Sequence, residues 1–254
     1  MDNTQQKILA VFDFDNTLVD GNTDTWVLDL HPPCRQQMNQ QKSEGHCWTD
    51  IMHSIFSVLH KKDVRKQDYE SCFKSLQFTE GIKETCDFLK NMNIQSVIVS
   101  DSNSYFIEHL LQRDSLQEVF SSIYTNPAQW NKDGRLTVER YHSHTCGRCP
   151  ENLCKGEVLK KYLEKQRLKT GQKFDYIVYI GDGQGDVCAA LTLEASDMVL
   201  AREGYILLND LQKQLEMSQG MLPQAKVVSW KTGFDVLKEF QTLIQRSTMK
   251  NDLN

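Results

Sequence analysis

The sequence predicts an α/β protein, a parallel sheet with helices on both faces and a small helical cap inserted after the first strand. Three observations carry this reading. Residues 9–12 and 176–180 are unbroken apolar runs of strand length and 96–99 is one that opens on Ser96, as strands buried on both faces require. Each run ends in short polar or acidic residues and leads into a segment of helical periodicity, the alternation that builds a parallel, Rossmann-like sheet. Between the first two runs, residues 21–78 show helical periodicity and no strand. The predicted division is a discontinuous core, residues 1–20 and 79–254, and a helical cap, residues 21–78.

The first run delivers Asp13 to the carboxyl end of its strand, where open α/β sheets bind ligands. Asp15 follows on the same loop. Two neighbouring anions there suit a shared hard cation. A turn and helix cap at Asp15-Asn16-Thr17 is the plainer use of the same residues.

Within the insertion, Trp48, Ile51, Met52, Ile55, Phe56 and Leu59 recur at three- and four-residue spacing and predict one amphipathic helix. His31-Pro32-Pro33 breaks the first helix and Gly45 separates later ones. Asp24 and Trp26 stand near the start of the first cap helix. Asp24 is read as facing the substrate, Trp26 as a core aromatic.

A helix marked by Ile82, Cys86, Phe88 and Leu89 precedes the 96–99 strand, which closes in Ser100-Asp101-Ser102-Asn103. A hydroxyl and exposed amides at a helix start make an anion site; a simple cap for the helix carrying Phe106, Ile107, Leu110 and Leu111 is the alternative. Residues 119–125 predict a third strand, and turns at Asn126-Pro127 and Asp133-Gly134 a hairpin through residue 138. Cys146, Cys149 and Cys154, with His142 and His144 nearby, have spacing that suits a structural zinc. They lack a clear fourth sulfur, and a packed loop is the preferred reading. Lys155 opens the next helix; a lysine there is usually just solvated.

The 176–180 run enters Gly181-Asp182-Gly183-Gln184-Gly185-Asp186. Its glycines let the backbone approach a phosphate or metal, and its two acids are hard oxygen ligands. Strands at 197–200 and 226–229 (the latter at an edge) and a helix through Phe234, Val236, Leu237, Phe240 and Ile244 close the fold. Residues 250–254 are expected to fray.

The length of 254 residues allows a sizeable core, and a net charge of -5 gives no basic footprint for nucleic acid. No run reaches bilayer length and no leader pattern opens the chain, so the expectation is a cytoplasmic protein without a membrane partner. Eight unevenly placed cysteines are read as reduced thiols. The oligomeric state is left open.

Taken in order, Asp13-Phe14-Asp15-Asn16-Thr17, the strand closed by Ser100, Lys155 and the Asp182–Asp186 loop resemble the four motifs of the haloacid-dehalogenase superfamily of aspartate-nucleophile phosphatases. The resemblance implies Asp13 as nucleophile, Asp15 as general acid and base, Ser100 as a phosphate-binding hydroxyl and Lys155 as the charge-balancing cation. It implies Mg2+ held by Asp13, the Asp15 carbonyl, Asp182 and Asp186, the last directly or through water. Asp101 is not required by the general motif and is a candidate for substrate choice. The runs around DFDNT, NTDTW, SDSN, TNPA, CGRCPENLCK and GDGQGD resemble the subfamily containing pyridoxal-phosphate phosphatase and phosphoethanolamine/phosphocholine phosphatase. One departure is Gln184-Gly185, where Gly-Asn or Ala-Asn is usual. The substrate class implied is a small phosphorylated metabolite, pyridoxal 5'-phosphate first, with phosphoethanolamine, phosphocholine or pyrophosphate as alternatives. A dehalogenase is disfavoured, because dehalogenases lack the second acid present here as Asp15. A reading of a different class is a binding module organised by a zinc loop, its phosphatase site degenerate.

Overall fold

A computed structural model describes residues 6–216 and 222–251. Strand β1 (Ile8–Phe12) is buried throughout. Ile8, Ala10 and Phe12 enter one apolar cluster and Leu9 and Val11 another, so the unbroken run serves two faces. Helices α1 (Thr23–Trp26), α2 (Cys34–Ser43), α3 (Trp48–Lys61) and α4 (Lys66–Cys72) follow, then α5 (Ile82–Asn91) and β2 (Gln95–Asn103). Next come α6 (Ser104–Arg113), β3 (Phe120–Asn126) and the hairpin β4 (Ala128–Trp130) and β5 (Leu136–Val138). The chain closes with α7 (Lys155–Thr170), β6 (Tyr176–Gly181), α8 (Val187–Ala190), β7 (Met198–Arg202), α9 (Ile206–Glu216), β8 (Lys226–Trp230) and α10 (Gly233–Asn251).

The main sheet is parallel with strand order β3-β2-β1-β6-β7-β8. The chain steps away from β1 in one direction through β2 and β3 and in the other through β6, β7 and β8. A crevice therefore opens at the carboxyl end of β1, the switch point where such sheets bind ligands. Ile82, Phe106 and Phe240 bring α5, α6 and α10 to one face, while Leu159, Ala189 and Leu207 bring α7, α8 and α9 to the other. Strand β8 lies at the sheet edge, as expected. Among the described residues no helix is long and apolar enough to cross a membrane. Residues 252–254 of the stretch expected to fray lie outside the described residues.

From α1 to α4 the chain is helical, and it leaves and rejoins the sheet through a narrow neck. Val19 bridges Phe78, the Asp20 N–H donates to the Gln77 carbonyl at 2.9 Å, and the Thr79 N–H donates to that of Leu18 at 2.9 Å. In α3 the predicted apolar stripe is buried at Ile51, Met52, Ile55, Phe56 and Leu59. Trp26 is half-buried, its Nε1 donating to the Cys72 carbonyl at 3.2 Å, which fits the packing role read for it.

Strand β2 runs further than its apolar residues indicate. Asn126 on β3 donates through Nδ2 to the carbonyls of Asp101 (2.7 Å) and Ser102 (2.9 Å), holding the polar stretch extended. The cap of α6 is consequently Asn103, whose Oδ1 accepts from the Phe106 N–H at 3.1 Å, and Ser100 is freed from capping.

Phe106 is the hub that joins the helical stretch to the sheet. Its ring lies 4.9 Å from Phe73 and 5.7 Å from Phe56, both edge-on, and 6.1 Å from Tyr69. Phe106→Ala is expected to cost about 3–5 kcal/mol in urea unfolding; a loss below about 1 kcal/mol would show that this cluster does not carry the packing.

Candidate active site

Beyond Phe12, the Asp13 N–H still donates to the Ile180 carbonyl at 2.9 Å, so β6 holds the backbone of Asp13. Its Oδ1 accepts from the Phe14 N–H at 2.7 Å, and its Oδ2 meets Lys155 Nζ at 2.7 Å. Lys155 is only 2% exposed and also pairs with Asp186 Oδ1 at 2.8 Å. Asp186 is saturated. Oδ1 further accepts from the Tyr179 hydroxyl at 2.6 Å, while Oδ2 takes the N–H groups of Asp182 and Gly183 at 3.0 and 2.8 Å. A Cβ on Gly181 would lie 2.5 Å from that Oδ2, so only glycine lets the turn close around the carboxylate.

Carboxylate oxygens of Asp13, Asp182 and Asp186 lie within 4.8 Å of one another, all three residues buried. Burial, then the charge of Asp186, pushes Asp13 well above the usual carboxylate range against the pull of Lys155, and raises Asp182 to about 7. Burial opposes the Lys155 charge, but Asp13 and Asp186 outweigh it and hold the ammonium protonated. Three buried carboxylates against one ammonium leave an excess of negative charge, and all the donors are hard oxygens. This arrangement fits a divalent cation such as Mg2+. Asp13 and Asp182 have acceptor capacity left for it; Asp186, with its oxygens engaged, braces Lys155 and the loop.

Asp15 is separately held. Oδ1 accepts from the Thr23 N–H at 2.9 Å, and Oδ2 accepts from the Thr23 hydroxyl at 3.1 Å and Asn22 Nδ2 at 3.2 Å. Burial, then the nearby Asp24 charge, pushes its carboxyl well up and favours the proton-carrying form. Thr23 Oγ1 also lies 2.8 Å from Ser102 Oγ, tying α1 to the end of β2.

A cavity of about 590 Å³ opens over these groups. Asp13, Asp15, Lys155, Asp182 and the 183–185 loop form its base, and Lys42, Trp48, Asp101 and Arg148 line it further out. Two expected residues are placed differently. Asp24 does not line the cavity; its Oδ2 accepts from Trp48 Nε1 at 2.7 Å and fixes the ring that does. Ser100 is fully buried behind the wall, its Oγ accepting from the Ser102 N–H at 3.2 Å, which leaves its own proton to donate.

Sequence reasoning missed Trp48 as a cavity residue, because its place on the apolar stripe of α3 gives no sign of an exposed face. Also missed was Arg202, 8% exposed, which donates to the Asn16 carbonyl at 2.5 Å and to Asp20 Oδ1 at 2.6 Å. It clamps the loop where Asn16 adopts φ 51°, a left-handed conformation that asparagine tolerates.

The family model described as "Putative Phosphatase" matches residues 8–244. The chain belongs to this family. It is an α/β phosphatase of the haloacid-dehalogenase superfamily. Pyridoxal phosphate phosphatase PHOSPHO2 of Homo sapiens is 42% identical over 243 residues, covering 94% of this chain and 99% of the relative. The phosphoethanolamine/phosphocholine phosphatase of Gallus gallus is 29% identical over 244 residues, covering 94% and 90%. A solved phosphoserine phosphatase, described as a phospho-aspartyl intermediate analogue, shares the fold with a TM-score of 0.60 at 19% identity, covering 92% of this chain and 99% of its own.

Burial raises Asp24 to about 7 in the folded protein, above the unfolded carboxylate value near 4. Protonated Asp24 is therefore favoured by folding, and its stabilising contribution is lost as pH rises from about 4 to about 7. Across that window Asp24→Asn should gain on the wild type by on the order of 4 kcal/mol in urea unfolding. A difference between the two proteins that is independent of pH would contradict the assignment.

Proposed function

We propose that this chain hydrolyses a small phosphorylated metabolite, pyridoxal 5'-phosphate before others, by way of a phosphoryl group carried on Asp13. The observation that carries the reading is Asp13 at the base of the cavity, paired with a buried lysine and flanked by an acid poised to carry a proton. Asp13 attacks phosphorus while Asp15 delivers its proton to the leaving oxygen. Asp15, now a base, takes a proton from the water that releases phosphate. Lys155 stabilises the phosphoryl oxygens as charge develops, while Ser100, behind the cavity wall, acts through the Ser102 N–H that it holds. Asp13, the Asp15 carbonyl and Asp182, with Asp186 in support, would hold Mg2+, which would supply the charge neutralisation that lets a carboxylate approach a dianionic phosphate.

Residues 21–78 are read as a cap domain, with Trp48 and Lys42 as its contribution to substrate choice. Trp48 offers an aromatic surface to a pyridine ring, and Lys42 Nζ stands 5.9 Å from the Trp48 ring centroid. Lys42 and Arg148, which line the same cavity as Trp48, oppose a quaternary ammonium and suit an anionic, aromatic substrate. The naming of the relatives at about 40% identity points the same way. Asp101 favours the second reading, a phosphoethanolamine whose ammonium would pair with it. None of the eight cysteines is in a disulfide, which supports a reducing, cytoplasmic setting.

Magnesium-dependent phosphate release from pyridoxal 5'-phosphate, phosphoethanolamine, phosphocholine and pyrophosphate tests this. Pyridoxal 5'-phosphate should show the highest kcat/KM, and Asp13→Asn should reduce turnover to background. Trp48→Ala should raise KM for pyridoxal 5'-phosphate about tenfold. Preference for phosphocholine, or an active Asp13→Asn enzyme, would refute the substrate and the nucleophile respectively.

A further inference from the structure

One residue before Lys155 stands Cys154, and two residues after Asp186 stands Cys188; their sulfurs are 3.7 Å apart. Cys146 Sγ lies 3.8 Å from Cys188 Sγ, and with Cys149 the four sulfurs all fall within 4.8 Å of one another. Zinc with sulfur ligands at about 2.3 Å in a tetrahedron requires sulfur–sulfur edges of about 3.8 Å. A disulfide would bring a pair to about 2.05 Å, and all four thiols are free. Cys188 thus supplies the fourth sulfur that the loop sequence lacked. Ordinary core packing also fails to account for the group, since Cys146, Cys149 and Cys188 are only partly buried.

The surroundings are built to hold the sulfurs rather than to add ligands. His142 Nε2 accepts from the Cys154 N–H at 3.2 Å and His144 Nδ1 from the Cys146 N–H at 3.2 Å, while His144 Nε2 donates to the Pro150 carbonyl at 2.8 Å. The histidines therefore hold the backbone of the loop, as outer partners of a metal site do. The Glu157 N–H donates to Cys154 Sγ at 3.4 Å. A Cβ on Gly156 would lie 2.7 Å from the Cys188 carbonyl oxygen, so glycine is what lets α7 approach α8 this closely.

We propose that Cys146, Cys149, Cys154 and Cys188 bind one zinc ion in a closed four-thiolate site that pins the loop carrying Arg148 and Pro150 to the segments carrying Lys155 and Asp186. Binding exchanges four thiol protons, released to solvent, for four zinc–sulfur bonds, with no change of oxidation state. Soft thiolates select zinc over the magnesium proposed for the carboxylate site. The site is structural: its four ligands leave no open position, and it braces one wall of the cavity.

Elemental analysis of the full chain, purified from zinc-supplemented cells and dialysed into magnesium buffer, tests this independently of any phosphatase activity. Wild type should retain about one zinc per chain, and Cys149→Ser and Cys188→Ser should each fall below about a tenth of that. Should the variants fail to fold, cobalt substitution of the wild type decides: thiolate-to-cobalt charge transfer and the intense visible bands of a tetrahedral site are expected. Wild-type protein with less than about a tenth of a zinc per chain and no such bands would overturn the proposal, as would equal zinc in wild type and folded variants.

Discussion

A single ammonium organises this protein. Lys155 Nζ is buried between Asp13 at 2.7 Å and Asp186 at 2.8 Å, and each contact belongs to a different part of the chain: the start of α7, the end of β1 and the loop after β6. An ion pair removed from water is stable only with its full complement of partners, and losing one costs about 3–5 kcal/mol. The lysine therefore fixes three segments at once. Asp186 extends the network to the Tyr179 hydroxyl and two backbone N–H groups, so the loop geometry and the charge balance cannot vary independently.

Around this centre the molecule separates two kinds of carboxylate. Asp13 and Asp182 share the Lys155 side, where excess negative charge suits a cation. Burial raises all four carboxyls, but Asp15 and Asp24 lie towards α1, held by neutral donors with no ammonium opposing the shift. The proposed division, attack and metal binding for one group of acids and proton transfer or the holding of Trp48 for the other, follows environment and not residue type.

The parts legible in the sequence are those set by local chemistry. β1 and β6 read as unbroken apolar runs because both faces of each are covered, and Asp13, Asp15, Lys155, Asp182 and Asp186 stand immediately beyond strand ends or at a helix start. What was misread depends on contacts distant in the chain. β2 continues through Ser100–Asn103 because Asn126 holds its carbonyls, and Asp24 serves the cavity through Trp48, 24 residues away. Arg202 grips Asn16 across 186 residues, and Cys188 meets Cys154 across 34. No periodicity or spacing within one segment marks such pairs.

The central claim is that Asp13, held by Lys155 at the base of the cavity, carries the phosphoryl group. Acid quenching of a single turnover, followed by peptide mass analysis, examines it directly. The account predicts one hydroxylamine-sensitive phosphoryl group on the peptide containing Asp13, appearing before free phosphate and then decaying. Phosphate released with no phosphorylated peptide at any time, or a phosphoryl group on a peptide lacking Asp13, would contradict it.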